Sequence, residues 1–341
     1  MMKLTIREIA EAAGVSKATV SRVINDSDAV SEETRKKVLE IIKETNFKPS
    51  SVARSLSMKK SHLIGIILPD LSNPVFSKII AGAESYIRNK DYSLLITATD
   101  FDIDMKIKHI NIMKDKGVDG LILVTDHGSE EFQKTLIEFE KPIIMIGSDS
   151  SLPYIPTIKI DNYKASQDAT QYLIDLGHKN IAMIRGPLSD YHSGKQRFLG
   201  YRDKLNCYGY YSERLVEEGW YTFDDGYSAM EALIKKGNLP TAIFCASDLL
   251  AIGAIKCCIE HGINVPDDIS FVGFDDVDIA RMYNPSLTTI RQPFEEQGDL
   301  AIRIMIDMIE NKNSIPNDED SKFTTSMKYK LVIRESTKNI K

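Results

Sequence analysis

Cysteine and long apolar runs are both scarce in this sequence. Its 341 residues include four cysteines, of which Cys257 and Cys258 are adjacent, and no CxxC pair of the kind that holds a structural zinc ion. We therefore expect reduced, buried thiols and neither a disulfide framework nor a metal site. No apolar run reaches the roughly 18 residues that a membrane-spanning helix needs, and the N-terminal residues do not resemble a signal peptide, so we expect a cytoplasmic protein.

The motifs of common catalytic sites are absent as well. HExxH, GxSxG and GxxxxGK[ST] do not occur, and no Cys/His cluster has the spacing of metal ligands. The histidines are scattered through predicted helices and loops. We therefore expect a protein that is not an enzyme, with no catalytic residue, no metal and no cofactor.

An overall excess of basic residues, which nucleic-acid binding would favour, is also lacking, because the net charge is −6. The distribution along the chain changes this interpretation. Residues 1–60 hold 12 Lys/Arg against 8 Asp/Glu, a balance of +4, whereas the remainder carries −10. A basic head on an acidic body is expected when only one end of the chain meets phosphate.

The basic end of the chain begins with a predicted short helix. Apolar residues recur at helical spacing from Ile6 to Ala13. Thr5 and Glu8 have the spacing of a capping box that starts such a helix. Gly14 can end it, because glycine adopts the left-handed conformation found at helix C-termini.

Two further helices are predicted before residue 48. Ser16 caps the second, whose inward residues include Val20 and Val23, and the third opens at Ser31 and runs to about Thr45. Two short helices around a glycine-containing turn, closed by a third, form the helix-turn-helix plan.

The second helix of this plan lies in the major groove of DNA. Lys17, Ala18, Ser21 and Arg22 point away from its apolar face. Lys17 and Arg22 can donate hydrogen bonds to guanine or to phosphate, and Ala18 offers an apolar contact. Taken alone, the two charges could equally well solvate a helix face.

Residues 5–25 closely resemble the head of the lac/galactose repressor (LacI/GalR) family, with Gly-Val-Ser-x-x-Thr-Val-Ser-Arg-Val-x-Asn at residues 14–25. The resemblance implies that positions 17, 18 and 22 read operator bases. It also implies that phosphates are contacted by Thr5, Ser16, Thr19 and Asn25.

Residues 49–60 are predicted to form a hinge. Pro49 stops the third helix, and the stretch that follows could form two helical turns with Ala53 and Leu56 on one face. The family resemblance implies that paired hinge helices enter the minor groove, with Leu56 as the wedge. Without the head, Leu56 would be interpreted as ordinary core.

The chain after residue 61 alternates short β-rich runs with amphipathic helices. Nine near-continuous apolar runs, from Leu63–Pro69 to Leu287–Ile290, indicate parallel strands covered on both faces. A division near Ile160–Asn162 gives two doubly wound lobes. The expected domains are a head (1–48), a hinge (49–60) and a core (61–341), with lobe one about 62–161 plus 292–322 and lobe two about 162–291 plus 323–341.

The resemblance continues through the core, in segments such as Leu176–Ala182, Phe271–Asp276 and Pro285–Pro293. It implies an all-α helix-turn-helix head joined to an α/β core with two doubly wound parallel-sheet lobes of the periplasmic-binding-protein type. His178, in the first of these segments, is interpreted as structural.

Ligands of such sheets bind at the carboxyl ends of the strands. Polar groups around aromatic faces suit a sugar or sugar phosphate. Arg197 and Asp275 could also form a buried ion pair that fixes the shape of the cleft. Trp220 is an alternative to Tyr221 as the aromatic residue of the site. The sequence departs from the family at Gly147–Ser148, where several sugar-binding members have an acidic residue, and at Ser247, where asparagine is common. The identity of the sugar therefore cannot be taken from any one relative. The candidate effector-binding residues are Asn73, Phe76, Arg197, Tyr221, Ser247, Asp248, Asp275 and Gln292.

These features predict a homodimeric transcriptional regulator, a repressor, that binds a pseudopalindromic operator. An effector bound between the lobes would shift an equilibrium between two states. One alternative is a regulator of the carbon-catabolite type, whose core binds a phosphorylated carrier protein. Another is a transport-associated binding protein, which would need an export signal and no head.

Overall fold

A computed structural model of the chain describes residues 5–24, 29–45, 47, 60–124, 129–237, 239–311 and 323–341. The chain divides into two compact units, Met1–Ser61 and His62–Lys341. No helix among the described residues is long and apolar enough to cross a membrane. The predicted DNA contacts Asn25, Ala53 and Leu56 lie outside the described residues.

The smaller unit contains α1 (Ile6–Ala13), α2 (Lys17–Ile24) and α3 (Glu32–Glu44). The predicted capping box is confirmed: the Thr5 N–H donates to Glu8 Oε2 at 2.6 Å. Gly14 ends α1 in the left-handed conformation, with φ at 66°. The three helices share an apolar core that includes Ile9, Ala13, Val20, Val23 and Val38.

The larger unit alternates strands and helices. It begins with β1 (Leu63–Leu68), α4 (Pro74–Ile87), β2 (Ser93–Ala98), α5 (Ile103–Asp115), β3 (Gly120–Val124), α6 (Glu130–Ile137), β4 (Ile143–Ile146) and β5 (Thr157–Lys159). It continues with α7 (Asn162–Asp175), β6 (Ile181–Arg185), a π-helical turn (Tyr191–Lys195), α8 (Gln196–Tyr208), β7 (Val216–Glu218), α9 (Phe223–Lys235), β8 (Ala242–Cys245), α10 (Asp248–Glu260), β9 (Ser270–Asp275), α11 (Asp278–Met282), β10 (Thr288–Arg291), α12 (Phe294–Glu310), β11 (Thr324–Ser326) and β12 (Lys330–Val332).

The strands form two sheets, which confirms the predicted pair of doubly wound lobes. The first has the order β11-β5-β4-β3-β1-β2 and is parallel throughout. The second has the order β12-β10-β9-β8-β6-β7, and within it only the pairing of β12 with β10 is antiparallel. Within the described residues the chain therefore passes between the lobes after β5, after β10 and after β11.

The last crossing falls later than the sequence suggested. Residues 323–341 were all expected in lobe two, but β11 pairs with β5 of the first sheet, where the Thr157 hydroxyl donates to Thr324 Oγ1 at 2.9 Å. The chain changes lobe between Ser326 and Lys330. The short edge strand β7 was also missed, because its Val-Glu-Glu sequence lacks the apolar run that marked the other strands.

The apolar strands of the first lobe are buried on both faces. Ile64, Ile66 and Leu68 of β1 pack into one core cluster, while the alternate residue Ile67 packs into another. Because side chains alternate across a strand, both clusters need apolar residues from β1. This requirement explains the nearly continuous apolar run Leu63–Leu68.

Helices α4 and α12 pack closely over the first sheet, and a glycine on each permits the approach. A Cβ atom at Gly82 would lie 1.9 Å from the Glu295 carbonyl oxygen, and one at Gly298 would lie 2.0 Å from the Ile79 oxygen. Both obstacles are backbone atoms, which cannot rotate away.

We expect Gly82→Ala to lower the free energy of unfolding by about 2 kcal/mol, because the added methyl group must push the two helices apart. Urea unfolding of the full chain measures this. Ser85→Ala, at an exposed position of the same helix, is the matched control and should have almost no effect. Equal stability of the two variants would contradict the close packing.

Candidate functional site

The second helix of the head exposes one face to solvent. Lys17, Ala18 and Arg22 are exposed on α2, while Val20 and Val23 are buried in the core of the head. Neither Lys17 nor Arg22 forms an ion pair with any residue that the structure describes. The two cations and Ala18 therefore form a surface that is open to a ligand, whereas Ser21 is half-buried beside it.

The hydroxyl groups predicted to meet phosphate lie at helix starts. Ser16 Oγ accepts from the Thr19 N–H at 3.1 Å and lies 2.9 Å from Thr19 Oγ1, so the pair begins α2. The Thr5 hydroxyl donates to Glu8 Oε2 at 2.9 Å. The backbone N–H and the hydroxyl of Thr5 lower the pKa of Glu8 below its usual value, because both donate to its carboxylate.

A cleft lies between the two lobes of the larger unit. Six of the eight predicted effector residues line it together: Asn73, Phe76, Arg197, Tyr221, Asp275 and Gln292. The space among its lining atoms, including the part open to solvent, is about 670 Å³.

The Arg197 side chain, at the start of α8, is fixed from several directions. Its Nε donates to Asn162 Oδ1 at 2.8 Å, and its Nη1 donates to the Ala246 carbonyl at 2.6 Å. Its Nη2 lies 3.6 Å from Asp275 Oδ1, and its guanidinium stacks over the Phe274 ring at 3.8 Å. The guanidinium is therefore held in one orientation at the cleft wall before any ligand arrives.

Asp275 ends β9 in a backbone conformation that L-residues rarely adopt, with φ at 116°. Gln292 Nε2 donates to its Oδ1 at 2.8 Å. Burial raises the pKa of Asp275 to about 6, although Arg197, the Gln292 amide and Lys78 all favour the carboxylate. Asp275 is thus a strained and buried acceptor beside a fixed cation, an arrangement typical of binding sites.

The raised pKa of Asp275 has a consequence for stability. Between pH 4 and 6 the folded chain holds a proton on Asp275 that the unfolded chain has released, so this group favours folding less as the pH rises. We expect Asp275→Asn to gain stability relative to wild type from pH 4.5 to pH 7. With a folded pKa of about 6 against an ordinary value of 3.8, the gain between these two pH values should be about 2 kcal/mol. Urea unfolding across this range measures the difference, and a constant difference would contradict the assignment.

Tyr221 was predicted as the aromatic residue of the site, with Trp220 as an alternative, and the two side chains have different positions. Tyr221 lines the cleft, and its hydroxyl donates to Asp190 Oδ2 at 2.7 Å. Burial raises the pKa of Tyr221 far above its usual value. Trp220 is half-exposed and meets Phe101 of the first lobe edge-on, with ring centroids 6.0 Å apart.

Ser247 and Asp248 do not line the cleft, so their prediction as effector ligands needs correction. Ser247 Oγ accepts from the Leu250 N–H at 3.3 Å and begins α10. Asp248 is 1% exposed and accepts from the Val277 N–H at 2.8 Å and the Thr289 hydroxyl at 2.5 Å. Burial raises the pKa of Asp248 well above its usual value. It joins α10 to the second sheet and to the turn that follows Asp275.

Four polar residues of the cleft were missed: Asn162, Asp190, Ser193 and Gln297. Asn162 had served only to mark the boundary between the lobes, yet it holds Arg197 in place. Asp190 accepts from the Ser193 N–H at 3.0 Å and so begins the π-helical turn before Arg197. Its position after β6 is the signal that could have found it, because strand ends supply ligands in such sheets.

The fold agrees with comparisons to known proteins. Residues 61–334 match the family described as periplasmic binding proteins and sugar binding domain of the LacI family, and residues 5–50 match the bacterial regulatory proteins of the lacI family. The chain belongs to the LacI family. This LacI-family chain is therefore a transcriptional regulator and not an enzyme, with a helix-turn-helix head for DNA and a core of the sugar-binding type.

Individual relatives match this LacI-family protein over almost its whole length. It is 36% identical to catabolite control protein A of Priestia megaterium over 99% of this chain and 100% of that protein. A lac repressor dimer bound to operator and the anti-inducer ONPF has a TM-score of 0.87 and 28% identity, covering 99% of this chain and 100% of that one. The regulator CelR in complex with cellobiose has a TM-score of 0.73 and 29% identity, covering 98% and 99%.

Proposed function

We propose that this protein is a repressor whose dimer binds a pseudopalindromic operator and whose affinity for DNA is switched by a small sugar-like effector. The observation that supports it most is the cleft, where Arg197, Asp275, Gln292 and Tyr221 are brought together from separate elements. The solved relatives bound to operator with ONPF and to cellobiose support the same function. A regulator of chromosomal genes acts in the cytoplasm, where we place it.

On DNA, the exposed face of α2 would enter the major groove. Lys17 and Arg22 would donate to guanine edges or phosphate, and Ala18 would make an apolar contact. Ser16, Thr19 and Thr5 would position the head against the backbone, with Ser21 beside them. Asn25, Ala53 and Leu56 would make further DNA contacts, and for these three residues the only support is the resemblance to the LacI family.

In the core, Asn73, Phe76, Arg197, Tyr221, Asp275 and Gln292 would contact the effector. The effector would act by binding one arrangement of the lobes more tightly than another. Its effect on operator affinity can be no larger than that difference in binding free energy. An effector that binds more tightly to the DNA-binding arrangement would strengthen operator binding. An effector that binds more tightly to the other arrangement would release the protein from DNA.

Selection of operator sequences from a random pool of DNA duplexes tests this function with the full chain. We expect an enriched pseudopalindrome, and fluorescence anisotropy at a fixed salt concentration should then give a specific affinity at least about a thousandfold above that for random duplex. A neutral sugar that binds the core should change the specific affinity. Failure to enrich any sequence would contradict the proposal.

A carbon-catabolite regulator remains the second candidate, because the relative at 36% identity is a catabolite control protein. Its core would bind a phosphorylated carrier protein on an outer surface. The two candidates predict different results for Arg197→Met. Loss of the cleft guanidinium should abolish a response to a small effector but leave a response to a carrier protein unchanged.

A further inference from the structure

Two aromatic side chains meet across the rim of the cleft. Phe101, which follows β2 of the first lobe, lies edge-on to Trp220, which follows β7 of the second, with ring centroids 6.0 Å apart. Both rings are about half exposed, at 45% and 51%, and neither packs into the apolar cores formed by the described residues. The pair therefore joins the two lobes without filling the core of either.

The ring pair lies on the side of the cleft away from the points where the chain crosses between the lobes. The chain leaves β5 and β10 for the other lobe, and β11 and β12, which flank the last crossing, pair with these two strands. The strands β2 and β7 are the opposite edges of the two sheets, four strand spacings from β5 and from β10. At roughly 4.8 Å per spacing, these edges lie about 19 Å from the strands where the lobes are joined.

This distance makes the ring pair sensitive to the angle between the lobes. A hinge rotation of about 10° around the crossings would part the two edges by about 3 Å, which takes the rings beyond the roughly 7 Å at which aromatic pairs attract. Asp149 follows β4, one spacing from β5, and its Oδ2 lies 3.9 Å from His192 Nδ1 of the second lobe. The same rotation would lengthen that contact by only about 1 Å. Opening of the lobes therefore breaks the ring contact first.

The backbone that presents Phe101 is strained and held at both ends. Asp100 and Phe101 have φ of 49° and 61°, a region that residues other than glycine rarely adopt. The Asp102 N–H donates to the Thr99 carbonyl at 2.8 Å, and Asp102 Oδ1 accepts from the Asp104 N–H at 2.8 Å to begin α5. Such strain persists only where the surroundings enforce it, and it concentrates at clamps and switches.

The backbone around Trp220 is fixed in a similar way. Its N–H donates to Asp225 Oδ2 at 3.0 Å, and the same oxygen accepts from the Thr222 hydroxyl at 2.6 Å at the start of α9. Tyr221 has φ of 65°, and its side chain lines the cleft, whereas the Trp220 side chain meets Phe101. Both rings are thus presented by backbone that is already held in place before a ligand binds.

We propose that Phe101 and Trp220 form a latch that holds the two lobes closed, and that this latch sets the operator affinity of the ligand-free protein. The link to operator affinity rests on the proposed function, whereas the latch itself does not. An edge-to-face ring pair favours the closed arrangement by about 2- to 10-fold. Loss of the latch should therefore change operator affinity by up to this factor for each subunit, with no effector present.

Three variants test the latch: Phe101→Asn, Trp220→Gln and the double variant that carries both changes. Asparagine tolerates the left-handed backbone at residue 101, and Trp220 is exposed, so all three should fold. Fluorescence anisotropy with the selected operator at a fixed salt concentration should show the same change in affinity for all three. The effects are equal because, once one ring is gone, the other has no partner left to lose.

Hydrogen exchange of the full chain without DNA measures the lobes directly. All three variants should exchange about 2- to 10-fold faster in peptides covering residues 73–79 and 190–197, which line the cleft and contain neither ring. Phe101→Tyr and Trp220→Phe keep an aromatic pair and should behave like the wild type. Phe323→Asn, equally exposed at 45% and away from the cleft lining, is the matched control.

The outcomes separate the latch from the function on which its link to DNA rests. Faster exchange only in peptides that contain residue 101 or 220 would overturn the latch, because the rings would then pack only locally. Additive effects of the two changes would overturn the pair as the acting unit. Faster exchange at the cleft with unchanged operator affinity would overturn the link to DNA. A full chain that enriches no operator would overturn the proposed function, while the exchange results would still decide the latch.

Discussion

Replacing Arg22 with alanine should weaken operator binding by on the order of 10- to 100-fold for each head, because a bidentate contact to guanine is among the strongest sources of base discrimination. A dimer carries the change twice, so the loss in the full protein should be larger still. Arg22 is exposed on α2 beside Lys17 and Ala18, and Val23 next to it is buried in the core of the head. The substitution should therefore leave the fold of the head unchanged.

Controls separate base reading from simple loss of charge. Lys43→Ala removes one positive charge from an exposed position of α3 and should lower specific and nonspecific affinity by similar, small factors. Arg22→Ala should lower the specific affinity far more than the affinity for random duplex at the same salt concentration. If both affinities fell equally, Arg22 would contact phosphate only, and the assignment of the reading face would be wrong.

The head could be predicted almost completely from the sequence because its signals are local. The Thr5–Glu8 capping box and the left-handed Gly14 involve residues a few positions apart, and both are present in the structure. The spacing of Val20 and Val23 fixes which side of α2 is exposed. No distant part of the chain is needed for these features.

The cleft could be predicted only in part, because a strand-end position does not determine the direction of a side chain. Ser247 lies just after β8 and Asp275 ends the neighbouring strand β9. Ser247 begins a helix, whereas the left-handed backbone of Asp275 directs its side chain to the cleft. Asp248 turns toward Thr289, which is 41 positions away along the chain. Such long-range contacts leave no local pattern, and the same holds for β11, whose partner β5 lies far away in the sequence.

Replacing Arg197 with methionine should abolish the effector response and lower the free energy of unfolding by about 3 kcal/mol at pH 7.5. The side chains of Arg197 and Asp275 are 6% and 9% exposed, so the variant leaves a buried carboxylate without its counter-charge. Methionine keeps much of the apolar volume over Phe274, which limits the loss of packing. Urea unfolding and calorimetry with a panel of neutral sugars measure the two effects.

The double variant Arg197→Met/Asp275→Asn, compared with Asp275→Asn alone, distinguishes a structural ion pair from a binding residue. Asparagine removes the uncompensated charge, so most of the lost stability should return, while the donors of Arg197 that would meet the effector stay absent. Lowering the pH to 5 should also reduce the destabilisation of the single variant, because the pKa of Asp275 is already about 6 and protonation removes its charge. If the double variant regained effector binding along with stability, Arg197 would act only by neutralising Asp275, and it would not contact the ligand.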